Sequence, residues 1–331
     1  MALSSDQVVE ALRAAGEPTR LRILALLAHE ELAVLELSRV LGQSQPRVSR
    51  HLKLLADAGL VERFPDGAWV FYRLAAREPA RALVEQALTM ISPDDATLRH
   101  DFERLKSVSA ERAAQAAGYF AQNAEHWDEI RSLYTSESAV EDAILAAAGE
   151  GPFERLVDLG AGTGRMLTLL GARARRSAGL DLSRQMLNIA RGNVAEAGLA
   201  GCELRHGDIF DTGLADGSAD LVVVHQVLHY LGEPAAAVAE AARLVAPEGR
   251  LIIVDFAPHD LEFCRSELAH RRLGFPDTEV QSWFRAAGLE SVASEAIAPG
   301  AERSDESKLT VKIWTAVSAR KPARNRAKEA A

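Results

Sequence analysis

Cysteine is nearly absent: the 331-residue chain has two, Cys202 and Cys264. Two thiols make neither a disulfide framework nor a zinc site built on cysteines, so no metal is expected. No apolar run approaches the roughly 18 residues that a membrane span requires. The opening MALSSDQVVEALRAAGEPTR has no basic stretch followed by an apolar core and a small-residue cleavage site, so a cytoplasmic protein is expected. Aromatic residues make up only 5% of the chain. Basic charge is in deficit, with a formal net charge of −9 that would ordinarily repel a polyanion.

Charge is unevenly spread. Residues 1–91 balance 11 basic with 11 acidic side chains, and residues 320–331 hold five basic against one acidic, so the acid lies between. Arg39, Arg47, Arg50, Lys53, Arg63 and Arg73 face only Asp57, Glu62 and Asp66 in residues 39–73. Such a patch serves a nucleic-acid surface or simply a solvated helical face. At roughly 100–200 residues per domain, the length favours two domains.

QVVEALRAAGEPTRLRILALLA, residues 7–28, carries apolar residues at helical spacing with a break at Gly16 and Pro18, which predicts two helices. LAVLELSRVLGQ predicts a third. Ser44 then stands as an N-cap with Pro46 in the first turn, and a further helix runs to about Ala58, ended by Gly59. In LVERFPDGAWVFYRL, Pro-Asp-Gly separates two runs rich in β-branched and aromatic residues, which predicts a hairpin. The order is that of a winged helix-turn-helix domain.

Residues 77–91 read as a closing helix and residues 92–117 as a polar, Ala-rich helical connector. The predicted domains are therefore 1–91 and 118–319, with a basic disordered tail at 320–331. In the second domain RLVDL, SAGLDL, CELRHGD, DLVVVHQ, GRLIIVDF, ESVASEAIA and KLTVKIWTAV are strand candidates separated by helices. Short continuous apolar strands in that alternation predict an α/β fold with a doubly wound parallel sheet.

The strongest motif is VDLGAGTGR, in which an apolar strand runs into Gly160, Gly162 and Gly164 before a helix. Without a Cβ the backbone turns sharply and approaches a ligand closely. Arg165 stands where the dinucleotide fingerprint has its last glycine, and no Gly-Lys-Ser/Thr ending follows. The next strand ends at Asp181, placed to accept from both ribose hydroxyls, and the one after at Asp208, placed to meet an adenine amine with Ile209 against the ring. Each acid alone reads as a cap or a solvated Asp; three successive strand ends converge on one crevice.

Through VDLGAGTGR, GLDLSRQML, HGDIFD, DLVVVHQVLHYL and LVAPEGRLIIVDF, residues 118–317 resemble the class I S-adenosylmethionine-dependent methyltransferases, and within them the ubiquinone and menaquinone biosynthesis enzymes. The resemblance implies a seven-stranded Rossmann-like sheet with KLTVKIWTAV as its antiparallel strand. It implies that Asp158, Gly160, Ala161 and Gly162 pass beside the methionine end of the cofactor. Asp181 and Leu182 would hold the ribose, and Met186, Asp208 and Ile209 the adenine. His225 would stand at the methyl end, as a base or as a wall of the site.

Methyl transfer from a sulfonium is an in-line displacement, so placing the acceptor supplies much of the rate, and a base is needed only for a protonated nucleophile. His229 and Tyr230 read as packing residues of the next helix. Tyr119, Trp127 and Tyr134 are candidates for a lid or acceptor pocket, against the alternative of ordinary core. Arsenite as acceptor is not expected, because two cysteines do not make the thiolate set that soft arsenic needs.

EPTRLRILALL, LSRVLGQSQPRVSRHLKLLADAGLVERF and GAWVFYRL resemble the ArsR/SmtB winged-helix repressors over residues 3–91. The resemblance implies a recognition helix at residues 44–56 and a wing at 63–73, with Ser44, Gln45, Arg47, Ser49, Arg50, Lys53, Arg63 and Tyr72 as operator contacts. It implies a homodimer joined by the first and last helices. His51 and Leu52 are expected to face inward. The family's metal sensors often carry a Cys-x-Cys pair where this chain has Ala33 and Leu35, and residues 77–91 contain no His. A signal from the second domain is then expected. Two readings follow: a small-molecule methyltransferase fused to a DNA-binding regulator, or a regulator that senses S-adenosylmethionine or S-adenosylhomocysteine without turnover.

Overall fold

The computed structural model describes residues 3–75, 79–127, 137–298 and 309–319. Tyr134 and the tail 320–331 lie outside the described residues. The chain divides into two compact units, Met1–Gln115 and Ala116–Ala331.

The first unit opens with α1 (Ser5–Ala15), begun by a capping box between Ser4 and Gln7, and α2 (Pro18–Leu27), whose first backbone donors meet the Glu17 carboxylate. A two-residue strand β1 (Leu32–Ala33) precedes α3 (Val34–Leu41), which stops at Gly42 with φ 65°. Then come α4 (Gln45–Asp57), β2 (Val61–Asp66), β3 (Trp69–Leu74) and α5 (Ala80–Thr89). The sheet order is β1-β3-β2. Ile23, Leu37, Val48, Leu52 and Leu55 are fully buried in one core, as the 3.6-residue spacing of α2 to α4 predicts.

Two local details differ from the sequence reading. β2 continues through Pro65 and Asp66, and the turn is Gly67-Ala68, with Gly67 at φ 55°. Proline is tolerated there because β2 is an edge strand, where one face of the backbone needs no donor. The connector also does more than connect. It forms α6 (Ala96–Asn123), whose Leu105 and Val108 are buried in the first unit's core. Asp101, fully buried, takes both hydrogen bonds of the Arg22 guanidinium at 2.6 Å. Arg112 of the same helix pairs with Glu30 and Glu36. One apolar pair three residues apart, amid charged and alanine residues, is a faint pattern, and the charges have partners far away in sequence.

The second unit is built on α7 (Glu137–Ala148), β4 (Phe153–Leu159), α8 (Arg165–Leu170), β5 (Ala174–Asp181), α9 (Arg184–Glu196) and β6 (Cys202–His206). There follow β7 (Ala219–His225), α10 (Pro234–Leu244), β8 (Val245–Phe256), α11 (Phe263–Glu267), α12 (Asp277–Ala286), β9 (Leu289–Ile297) and β10 (Val311–Ser318). One seven-stranded sheet has the order β6-β5-β4-β7-β8-β10-β9. β10 pairs antiparallel with both β8 and β9, and the pairs from β6 to β8 are parallel, as expected from the sequence. Leu156, Val157, Val222, Val223, Ile252 and Ile253 are fully buried, divided between apolar cores on the two faces. Continuous burial explains why these strands read as unbroken apolar runs. After β6 the chain crosses to the far side of β4, so the carboxyl ends of β4 and β7 flank the switch point at which such sheets bind ligands.

Candidate functional site

At that switch point the chain leaves β4 through Gly160, Gly162 and Gly164, with φ of 75°, 51° and 83°. The Gly160 and Ala161 amides both donate to Leu180 O at 2.8 Å, which pins the loop to the end of β5. A Cβ on Gly160 would lie 2.4 Å from Val227 Cγ2, so the carboxyl ends of β4 and β7 meet at this residue. Among the described residues, a Cβ on Gly162 would meet nothing nearer than Trp127 Nε1 at 3.9 Å, which leaves room over the loop. Gly160→Ala is therefore expected to cost about 1–2 kcal/mol for the left-handed backbone alone, and more for the collision. Thermal melting of the variant checks this: a drop of several degrees is expected.

Asp181 closes the loop from the β5 side. Its Oδ2 accepts from the Gly162 amide at 2.8 Å and its Oδ1 from the Ser183 amide at 2.7 Å. Burial pushes its carboxyl above the usual range, against the lowering effect of those two amides and of nearby His206. The Gly207 amide donates to Asp181 O at 3.1 Å, so the segment carrying Asp208 begins beside Asp181. Asp208 is exposed and accepts from the Phe210 amide at 3.0 Å, while Ile209 is buried. Asp158 and Ala161 are buried, and Met186 is buried at the start of α9 behind the Ser183 cap. Leu182 is 60% exposed at the rim. His225, half-buried, ends β7, and Gln226 follows at φ 54° with its amide bonded to Val254 O at 2.7 Å. A non-glycine residue in that conformation at a strand end is a local strain of the kind found at binding sites.

Aromatic side chains gather on the same side. The Tyr119 ring lies 6.2 Å from that of Trp127, and Phe120 lies 5.3 Å from Trp127 and 4.8 Å from Tyr230. Trp127 is half-buried, and the sequence pairing of Tyr119 with Trp127 is present in space. Phe120 and Tyr230 belong to the same group, which helical spacing alone did not reveal. Burial pushes the Tyr230 phenol well above its ordinary value, so it stays protonated and offers a donor. His229 is buried with Nδ1 at 2.7 Å from Asp255 Oδ1, and it packs on Tyr230 as the sequence reading preferred.

The first unit carries a second candidate surface, on α4 and the β2–β3 hairpin. Ser44, Gln45, Arg47, Arg50, Lys53 and Arg63 are exposed and Ser49 is half-buried, while Val48, Leu52 and Leu55 turn inward. Arg47, Arg50, Lys53 and Arg63 have no carboxylate in ion-pair contact among the described residues. Arg39 and Arg73 of the basic patch are instead tied to Glu111 and to Glu62 and Glu31. Burial lowers the His51 pKa, outweighing Glu17 beside it, so His51 supports the helix rather than adding charge. Tyr72 corrects the sequence reading: it is 7% exposed and lies in the core opposite Leu32 of β1. The two-residue strand β1 covers it, and so short a strand leaves no alternating pattern in sequence.

Residues 17–63 match the family described as bacterial regulatory protein, arsR family, and residues 157–253 match a methyltransferase domain. The chain is 37% identical over 102 residues to the arsenic resistance transcriptional regulator ArsR1 of Pseudomonas putida, covering 29% of this chain and 80% of the relative. It is 26% identical over 228 residues to a demethylmenaquinone methyltransferase of Clavibacter sepedonicus, covering 59% of this chain and 91% of the relative. In fold it is similar to one chain of a complex between the Haloferax volcanii Trm112 methyltransferase activator and a methyltransferase, with a TM-score of 0.50 at 23% identity, covering 61% of this chain and 97% of that one. The chain belongs to the arsR family of bacterial regulators through its N-terminal DNA-binding unit, and it carries a methyltransferase domain C-terminal to that unit.

Proposed function

We propose that the chain is an operator-binding transcriptional regulator whose second unit binds S-adenosylmethionine and passes its methyl group to a small molecule. The observation that carries the cofactor reading is the half-buried Asp181 carboxylate bonded to the Gly162 amide at 2.8 Å, at the switch point of the sheet. Each carboxylate oxygen already accepts one amide and keeps a further lone pair, which suits two adjacent ribose hydroxyls. Met186 and Ile209 supply apolar surface for an adenine, and exposed Asp208 an acceptor for its amine. When bound, the cofactor supplies an electrophilic methyl on a sulfonium. His225 ends the strand beside the glycine loop and would position the acceptor or take its proton. Tyr119, Phe120, Trp127 and Tyr230 would exclude water and present an apolar wall, which fits an aromatic or lipophilic acceptor.

On the operator, Ser44, Gln45, Arg47, Ser49 and Arg50 would enter the major groove, with Lys53 and Arg63 on phosphates. Val9 and Leu12 stand 44% and 54% exposed on α1, where a second copy would cover them in a homodimer. The second reading, sensing without turnover, is favoured by Ala33 and Leu35, which replace the thiol pair of the family's metal sensors and leave the other unit as the source of signal. One experiment separates the two: operator affinity of the full chain by fluorescence anisotropy with S-adenosylmethionine and with S-adenosylhomocysteine, beside S-adenosylhomocysteine formation with quinol and phenol acceptors. Product formation with an acceptor supports the enzyme. A shift in operator affinity with no product under any acceptor supports the sensor, and neither effect refutes both.

A further inference from the structure

At the carboxyl end of β8 lies a cluster that neither functional reading uses. His259, Cys264 and His270 each offer one ligand atom, and these atoms all lie within 4.8 Å of one another. We propose that these three residues form a zinc-binding site, with His–Cys–His donors and a fourth position left to water or another ligand.

The donor set is the first argument. A thiolate and two imidazoles suit a borderline-soft ion of tetrahedral preference, whereas magnesium or calcium would need oxygen ligands. Tetrahedral zinc holds such donors roughly 3.3–3.6 Å apart, so closure requires movements of about an ångström. Cys264 is fully buried and His270 is 7% exposed, so neither is a chance neighbour on a solvated surface. His270 Nδ1 is buried and meets no hydrogen-bond partner among the described residues, an arrangement that costs free energy unless something else takes the lone pair or proton.

The backbone is the second argument. The His270 amide donates to Cys264 O at 2.9 Å, the Cys264 amide to Leu261 O at 3.1 Å, and the His259 amide to Leu273 O at 3.0 Å. Each donor residue is thus fixed by its own main chain, and Ala269, just before His270, is held at φ 58°. The Leu261 amide donates a long bond, 3.3 Å, to His259 Nδ1, which helps to set the orientation of that ring. The ring of His270 packs at 4.1 Å, tilted by 39°, against His229, whose Nδ1 is held by Asp255, so a second layer of packing orients the ligand.

The inference stands on this geometry alone and not on the cofactor reading. Its test uses the purified full chain, stripped with a chelator and titrated with cobalt(II) and zinc(II) in the absence of S-adenosylmethionine and S-adenosylhomocysteine. One cobalt per chain is expected, with a thiolate-to-cobalt charge-transfer band and d–d bands of tetrahedral intensity, displaced by zinc. The Cys202→Ser variant should keep the band and Cys264→Ser should lose it. His259→Asn and His270→Asn should each weaken zinc at least tenfold by chelator competition, with circular dichroism unchanged. If Cys264→Ser does not fold, the Cys202→Ser protein carries the test, since zinc should then slow alkylation of the remaining thiol at least tenfold. Absence of the band in wild type, its survival in folded Cys264→Ser, or alkylation unaffected by zinc would each overturn the proposal.

Discussion

Replacing Asp181 by asparagine should weaken S-adenosylmethionine binding by roughly 10- to 150-fold. A hydrogen bond to a charged acceptor contributes about 1.5–3 kcal/mol, and the carboxylate is placed to take two from the ribose while holding Gly162 and Ser183. Asparagine preserves the shape and one oxygen but removes the charge and half the acceptors, so the loss should appear in affinity more than in the fold. The same residue sets a pH dependence. Burial raises its carboxyl above the ordinary range, and the ligand's hydroxyls prefer the ionised form. Affinity should therefore fall as pH drops through that raised value, at a higher pH than for an unperturbed carboxylate. Without ligand the sign reverses for stability: the folded unit holds the proton more tightly than the unfolded chain, so stability falls as pH rises from the ordinary carboxylate range to the raised value. Calorimetric titrations at pH 8 and near pH 5 check the affinity, thermal melting without ligand over the same range checks the stability, and the Asn variant should have lost both dependences. Wild-type affinity that does not change with pH, or an Asn variant of equal affinity, would remove Asp181 from the site.

The second large effect is on the operator. Arg47→Ala with Arg50→Ala should weaken operator binding by roughly a hundredfold or more, since a good Arg contact to a base edge is worth about 1–3 kcal/mol and phosphate contacts add to this. Both side chains are exposed on α4, and neither is held by a carboxylate among the described residues, so each is available to a polyanion. Arg39 and Arg73, tied in ion pairs, should matter far less. Salt separates the roles of the cations. A residue on a phosphate, as Lys53 and Arg63 are placed to be, should lower the slope of log affinity against log salt by about one when changed to alanine, whereas a base contact should relax sequence preference instead. Fluorescence anisotropy over a salt series measures this. A double variant that binds as tightly as wild type would move the operator surface off α4.

Much of this architecture was legible in the sequence because strong local rules agreed with one another. Ser44 with Pro46 marked the start of α4, Gly59 its end, and VDLGAGTGR fixed a strand-to-helix turn whose φ of 75° and 51° glycine adopts without strain. The antiparallel place of β10 followed from the fold resemblance and not from its own residues, whose apolar run carries no direction. What was missed depended on partners distant in the chain. Tyr72 has the look of a wing residue until β1 covers it, and β1 is two residues long. Leu105 and Val108 join the first core from a helix whose sequence looks like solvated spacer. The His259, Cys264 and His270 spacing was present in the sequence, yet cysteine counting alone passes over a site in which histidines supply two of three donors.

The most direct measurement is a calorimetric titration of the wild-type full chain with S-adenosylmethionine and, separately, S-adenosylhomocysteine. The geometry around Asp181 and Gly162 predicts saturable binding of one ligand per chain for both. A flat titration with folded protein would contradict the account of the second unit, whatever the first unit does on DNA.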